Sequence, residues 1–295
     1  MVALLPRVKS RLFIHANRRS TNLLEGEYAA ITSGRSLDFD DLREYVPGDE
    51  VDDIDWKATA RVGSPLVKRY KQTRRQDVVL AVDTGRGMAA LAENGEPKRE
   101  LAISVAGSLG YLALRHGDAV GLVTGAGTRL HRRPARASEG YLETLLRTVQ
   151  ADTTLESESS DQFELVSYLV RAVPNRSIVV IIGDDIEPDP LIDEALRALR
   201  IRHELLWITV ADLDLVAGDG SRRTILDVDD NSPIPKILRT DKKLAAIYAD
   251  RTDTRIAAQH AYFRARGVSH CRVTSSEAVV PTLLDLLQRR RRAGF

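Results

Sequence analysis

From Asp77 onward, short apolar runs alternate with segments of helical period. That alternation restricts the fold to a mostly parallel sheet covered by helices on both faces. "DVVLAVD" (77–83), "SIVVIIGDD" (177–185), "HELLWITVAD" (203–212) and "SHCRVT" (269–274) read as strands, and "DAVGLVTG" (118–125) with "TRLHRRP" (128–134) as a hairpin through Ala126-Gly127. Helices are predicted over 97–117, with Pro97 in the first turn and Gly117 past the end, and over about 138–149, 161–173 and 190–200. A long helix ending near Arg266 and a last helix complete an α/β, Rossmann-like domain over 77–295, with about six strands, one of them antiparallel, and a polar insertion at about 212–240. Two parts precede it: a basic arm or helix over 1–24 carrying Arg7, Lys9, Arg11, Arg18 and Arg19, and a module over 25–76 dense in charge and turns.

Two strands finish in aspartate: Asp83 ends one, and the pair Asp184-Asp185 ends another. Open α/β sheets bind ligands beyond the carboxyl ends of their strands, where the strand order reverses. If these strands are neighbours there, Asp83 and Asp184 share one crevice, and close carboxylates repel unless a cation or proton joins them. That is a physical case for a metal site.

A strand ending in Asp-x-Ser-x-Ser, a later threonine and a further aspartate make up the metal-ion-dependent adhesion site of von Willebrand factor A-type domains, and "VDTGRGM" with "GDD" resembles that layout. The stretch "DFDDLREYVPGDEVDDIDWKATARVGSPLVKRY" resembles the signature segment of the bacterial domain-of-unknown-function 58 family, whose members join such a segment to a von Willebrand A-like domain. The resemblance runs from about Gly26 to about Arg292. It implies a von Willebrand A-like sheet, a protein-interaction role and association with MoxR-type AAA+ ATPases.

The implied metal motif fits only in part. Asp83 and Asp184 match its aspartates, and Thr153 or Thr154 falls where its threonine is expected, but Gly85 and Gly87 occupy both serine positions. Magnesium demands six oxygens in nearly octahedral geometry, so this set predicts no cofactor and at most weak magnesium or manganese binding. The glycines equally suit a turn that needs positive φ or close packing. Arg86, between them, offers a guanidinium that could neutralise Asp83 or Asp184 in place of a metal. Phosphate cradling is disfavoured, because the Gly-x-Gly lacks the Lys-Ser/Thr ending of a P-loop and carboxylates adjoin it.

The module over 25–76 places Asp38, Asp40, Asp41, Glu44, Asp49, Glu50, Asp52, Asp53 and Asp55 ahead of Lys57, Arg61, Lys68, Arg69, Lys71, Arg74 and Arg75. The two blocks can pair with each other, with Asp55 as the N-cap of a short helix, Pro47-Gly48 in a turn and Trp56 buried. They can also form a docking surface, since Arg43, Tyr45, Trp56 and Arg61 are residue types that carry interface energy. Asp49, Asp55, Arg86 and Asp185 complete the candidate partner-binding set.

Composition narrows the remaining classes. A formal net charge of +1 over 295 residues gives no global pull toward nucleic acid or membrane, and the single Cys271 excludes an internal disulfide and reads as a small apolar filler. None of the histidines (His15, His116, His131, His203, His260, His270) shows ligand or triad spacing, and the run Arg289–Arg292 reads as a solvated helix end. No apolar stretch approaches the ~18 residues of a membrane span, and the start does not read as a signal peptide, so a cytoplasmic location is expected. The expectation is a noncatalytic adaptor that takes a protein partner and does not insert into a membrane. Its competitors are a metal-dependent hydrolase using Asp83, Asp184 and Asp185, and a nucleic-acid binder working through the basic termini.

Overall fold

The computed structural model describes residues 3–15, 23–28, 39–46, 54–70, 75–187, 189–216 and 224–292. Its centre is a sheet of six strands: β3 (Asp77–Asp83), β4 (Ala119–Ala126), β5 (Arg129–Arg136), β6 (Ser177–Gly183), β7 (Glu204–Val210) and β8 (Ser269–Val273). They lie in the order β5-β4-β3-β6-β7-β8. All are parallel except the edge strand β5, which returns antiparallel beside β4. The chain builds outward from β3 in one direction, then resumes at β6 on the other side of β3. The order therefore reverses between β3 and β6, and the carboxyl ends of those two strands are where such a sheet binds ligands.

Strand alternation divides the core in two. Val78, Leu80 and Val82 of β3, Ile178, Val180 and Ile182 of β6, and Leu206, Ile208 and Val210 of β7 face one layer. That layer is formed by α1 (Leu4–His15), α2 (23–28), α4 (Lys98–Arg115), α5 (Glu139–Asp152) and α10 (Val279–Arg292). The intervening residues, Val79 and Ala81, Val179 and Ile181, Leu205 and Trp207, face α6 (Gln162–Ala172), α7 (Pro190–Arg202) and the end of α9 (Lys242–Ala265). Every residue of α4 from Leu101 to Ala113 is buried, which is why its sequence is apolar all round. Gly107 and Gly110 make that possible: a Cβ at either would lie 2.9 Å from Val8 or 2.7 Å from Leu142, the residues through which α1 and α5 pack on α4.

Of the basic arm or helix expected over 1–24, the described residues form a helix, and it belongs to the core. Leu4, Leu5, Val8 and Leu12 are buried in the layer with α4, and Glu143 accepts from the backbone N–H groups of Leu4 and Leu5 at 3.1 and 2.7 Å. Its cations are paired, Arg7 with Glu100 and Lys9 with Glu139 at 2.5 Å, whereas Arg18 and Arg19 lie outside the described residues. The terminal arginines are likewise engaged. Arg290 is buried and pairs with Glu204 at 2.5 Å, Arg291 pairs with Glu27, and Arg289 with Asp285, so only part of the run is a solvated helix end.

The signature module forms its own small sheet. β1 (Phe39–Glu44) pairs antiparallel with β2 (Leu66–Tyr70), with Asp41 opposite Arg69 and Leu42 opposite Lys68. Between them, α3 (Trp56–Val62) starts at Asp55, whose carboxylate accepts from Lys57 N and Ala58 N at 3.0 Å each, and ends at Gly63 with φ 84°. The predicted N-cap is the observed one. Pro47, Gly48 and Asp49 lie outside the described residues. Trp56 is 65% exposed, so of the burial and the partner contact open to it the burial is not met, and α3 as a whole has no buried residue. No helix among the described residues is long and apolar enough to cross a membrane.

Candidate functional site

The carboxyl ends of β3, β6 and β7 converge around the start of α4. Asp83, the last residue of β3, is buried. Its Oδ1 accepts from Gly85 N at 2.8 Å, and its Oδ2 from Gln162 Nε2 at 2.8 Å. Gly183 at the end of β6 leaves room for that amide, since a Cβ there would lie 3.1 Å from Gln162 Nε2. Burial pushes the Asp83 carboxyl above its ordinary pKa, against the pull of these donors and of Lys98.

Gly85 precedes a 3-10 turn over Arg86–Ala89 and has φ −64°, so positive φ is not what requires glycine there. Close packing is. A Cβ at Gly85 would lie 2.7 Å from Ser160 N and 2.8 Å from Ser160 Cα, so the loop preceding α6 occupies the space a serine side chain would take. At Gly87 a Cβ would lie 2.9 Å from Asp184 Oδ2. Both glycines are therefore close-approach positions.

The sequence reading supplied no cation between the strands except Arg86, and the structure puts Lys98 there. Lys98 opens α4, its side chain is 0% exposed, and its Nζ lies 2.8 Å from Asp184 Oδ1 and 2.6 Å from Asp212 Oδ1. Burial alone would lower its pKa, but Asp184 and Asp212 outweigh that and hold it raised. Burial drives the Asp184 carboxyl up to about 6, with repulsion from Asp212 added and the Lys98 ammonium opposing. Asp212 follows β7 after Ala211, and Asp184 follows β6 directly. The run "HELLWITVAD" ends in aspartate like the other two strands, so the sequence carries a signal for it. Lys98 carried a signal too, as a lysine directly after Pro97 at the positive end of a helix, where cations are disfavoured.

Thr153 is buried, and its hydroxyl donates to Val149 O at 2.8 Å within α5, while Thr154 contacts Ser157, so both hydroxyls have local partners. Arg86 points away from the aspartates: its Nε donates to Ser157 O at 3.0 Å and its Nη1 to Asp229 O at 3.2 Å. Asp185 belongs to a separate cluster, paired with Arg272 and, at 3.2 Å, with Arg255. Arg43 and Tyr45 lie in and after β1, and Arg61 in the last turn of α3. The metal reading does not fit this arrangement. Asp184 already pairs with an ammonium and Asp83 accepts from Gly85 N and Gln162, both serine positions lack hydroxyls, backbone blocks a side chain at Gly85, and the threonine hydroxyls are turned to the backbone or to Ser157.

A family model described as "Protein of unknown function DUF58" matches residues 41–215. Uncharacterized proteins of Mycobacterium bovis and Mycobacterium tuberculosis are each 30% identical over 207 residues, 68% of this chain. The chain spans 63% of the length of those curated relatives in that match. Among solved structures, an aerotolerance-related membrane protein from Bacteroides fragilis matches at a TM-score of 0.45 and 16% identity, covering 72% of this chain and 99% of that one. A von Willebrand factor type A structure from Catenulispora acidiphila matches at a TM-score of 0.38 and 12% identity, covering 75% of this chain and 43% of that one. The match over residues 41–215 places the chain in the DUF58 family.

Proposed function

We propose that this protein is a noncatalytic interaction module that docks a protein partner through the surface of the signature module around Trp56, Arg61, Arg43 and Tyr45. The observation that carries this reading is α3. It is capped at both ends, has no buried residue, and holds out a tryptophan with 65% of its surface exposed. A helix so thoroughly specified at its ends and so little used by the core is well suited to present side chains, and exposed tryptophan and arginine are the types that anchor interfaces.

The carboxyl end of the sheet supports the noncatalytic part. Asp83 is held by Gly85 and Gln162, Asp184 and Asp212 by Lys98, and Asp185 by Arg272 and Arg255, which leaves these aspartates poorly placed to act as a general base. The resemblance to the family makes a MoxR-type AAA+ ATPase the partner to test. Binding of that ATPase, measured by biolayer interferometry, should be strong for the unmodified chain and lost for Trp56→Ala with Arg61→Ala. Equal binding by the double variant would remove this surface from consideration.

A further inference from the structure

The strand β5 is cationic along its whole length. Its eight residues, RLHRRPAR, hold Arg129, His131, Arg132, Arg133 and Arg136 in a chain whose formal net charge is +1. All are exposed except Leu130 and Ala135, which are half-buried. Arg129 pairs with Glu158 at 2.7 Å, and Arg136 lies over the Tyr141 ring, 5.1 Å from its centre. Arg132 and Arg133 have no carboxylate partner among the described residues. Being adjacent in a strand, these two point to opposite faces.

β5 is also an edge. It ends the sheet on one side and pairs with β4 alone, and an antiparallel edge strand turns the N–H and C=O groups of every second residue outward. Its register with β4 is regular from Arg129, opposite Ala126, to Arg133, opposite Leu122, and breaks beyond it. There Pro134 offers no N–H, and its carbonyl already accepts from the Tyr141 hydroxyl at 2.8 Å. The open part of the edge is therefore the stretch that carries Arg132 and Arg133. Cations on an edge deter like strands from pairing with it, and they favour a strand of opposite charge.

We propose that β5 is a docking edge for an extended acidic segment of a partner protein, which adds beside Arg129–Arg133 as a further strand and sets carboxylates against Arg132 and Arg133. Backbone hydrogen bonds along the edge supply affinity, and the two arginines, one on each face, select carboxylates at successive positions of the added strand. Nucleic acid or a bilayer presents its phosphates in one surface and meets the arginine of one face only. The inference does not rest on the surface around Trp56.

The test is binding of a fluorescent peptide of alternating glutamate and valine, as long as β5, to the full chain, followed by anisotropy. The unmodified protein should bind it. Arg132→Glu with Arg133→Glu should weaken binding roughly tenfold or more and leave the melting temperature unmoved, since both residues are exposed. The same peptide methylated on its central backbone nitrogens keeps its charge but cannot pair, and it should also lose roughly tenfold or more. Trp56→Ala with Arg61→Ala should bind the peptide as the unmodified protein does. No binding, binding indifferent to the arginines or to methylation, or binding lost with Trp56 would overturn the proposal. So would single-stranded DNA of equal charge that binds as tightly through the same arginines. If the charge-reversed variant does not fold, Arg132→Gln with Arg133→Gln takes its place under the same criteria.

Discussion

Ser160 fills the space that a side chain at Gly85 would need: a Cβ on Gly85 would come within 2.7 Å of Ser160 N and 2.8 Å of its Cα, next to the Ser160 hydroxyl. Restoring the serine is therefore not a route to metal binding. Gly85→Ser must displace backbone, which costs on the order of 1–3 kcal/mol as overpacking does, and it should add no magnesium affinity. Denaturant unfolding and calorimetry check both parts. A Gly85→Ser protein as stable as the original that binds magnesium would show that the loop at Ser160 yields freely.

The buried aspartates give the fold a pH dependence of defined sign. Asp184 sits at about 6 in the folded protein, above its ordinary 3.8, so the folded state holds its proton through a range in which the unfolded chain has lost it. Its contribution is fully present below about pH 4 and is lost as pH rises through about 6. Asp83 shifts in the same direction. Asp184→Asn should flatten this part of the stability curve by roughly 1 kcal/mol or more between those limits, measured by urea unfolding at successive pH values. A variant that keeps the full slope would assign it to another group.

Asp185 differs from its neighbour although the sequence presents the two as a pair. It is 10% exposed beside an equally covered Arg272, and Arg255 approaches its other oxygen at 3.2 Å. Asp185→Lys leaves Arg272 buried beside a like charge and should cost about 3–5 kcal/mol. Glu187→Lys, on an exposed residue two positions on, should change stability by no more than about 0.5 kcal/mol. Charge reversal at Glu187 is therefore the cleaner probe of a partner at this end of the sheet. Comparable losses in both variants, by denaturant unfolding, would contradict the assignment of Asp185 to the interior.

Trp56 should separate stability from binding. Because α3 buries none of its residues, Trp56→Ala should leave the melting curve within about 0.5 kcal/mol of the original while weakening partner binding by about 2 kcal/mol or more. Asp55→Ala should cost about 1 kcal/mol by removing the cap that receives Lys57 N and Ala58 N. A large loss of stability in Trp56→Ala would mean that the tryptophan is covered by the chain itself.

The fold was legible because its signals are local. Alternating apolar runs named β3, β6, β7 and β8, Ala126-Gly127 named the β4-β5 hairpin, and Pro97 and Gly117 bracketed α4. The aspartates at the strand ends pointed to the right end of the sheet for the same reason. What brings Lys98 to Asp184 and Asp212, and Ser160 to Gly85, is distance across the sequence. Residue 98 reaches residue 212 only because α4 starts beneath the tips of strands not yet formed in the chain. Positive φ and close approach also call for the same residue type, so the glycines could not say which applied. The exposure of Trp56 was hidden for a related reason, since burial depends on whether a second layer exists over β1 and β2, and no residue within the module encodes that.

The most direct test of the account is the metal dependence of partner binding. Affinity for a MoxR-type AAA+ ATPase, measured by biolayer interferometry with nucleotide-free ATPase in chelator and again in magnesium, should be the same in both, because Lys98 already pairs with Asp184 and Asp212 and Trp56 lies in the signature module. Binding that vanishes in chelator and returns with magnesium would contradict the account at its centre.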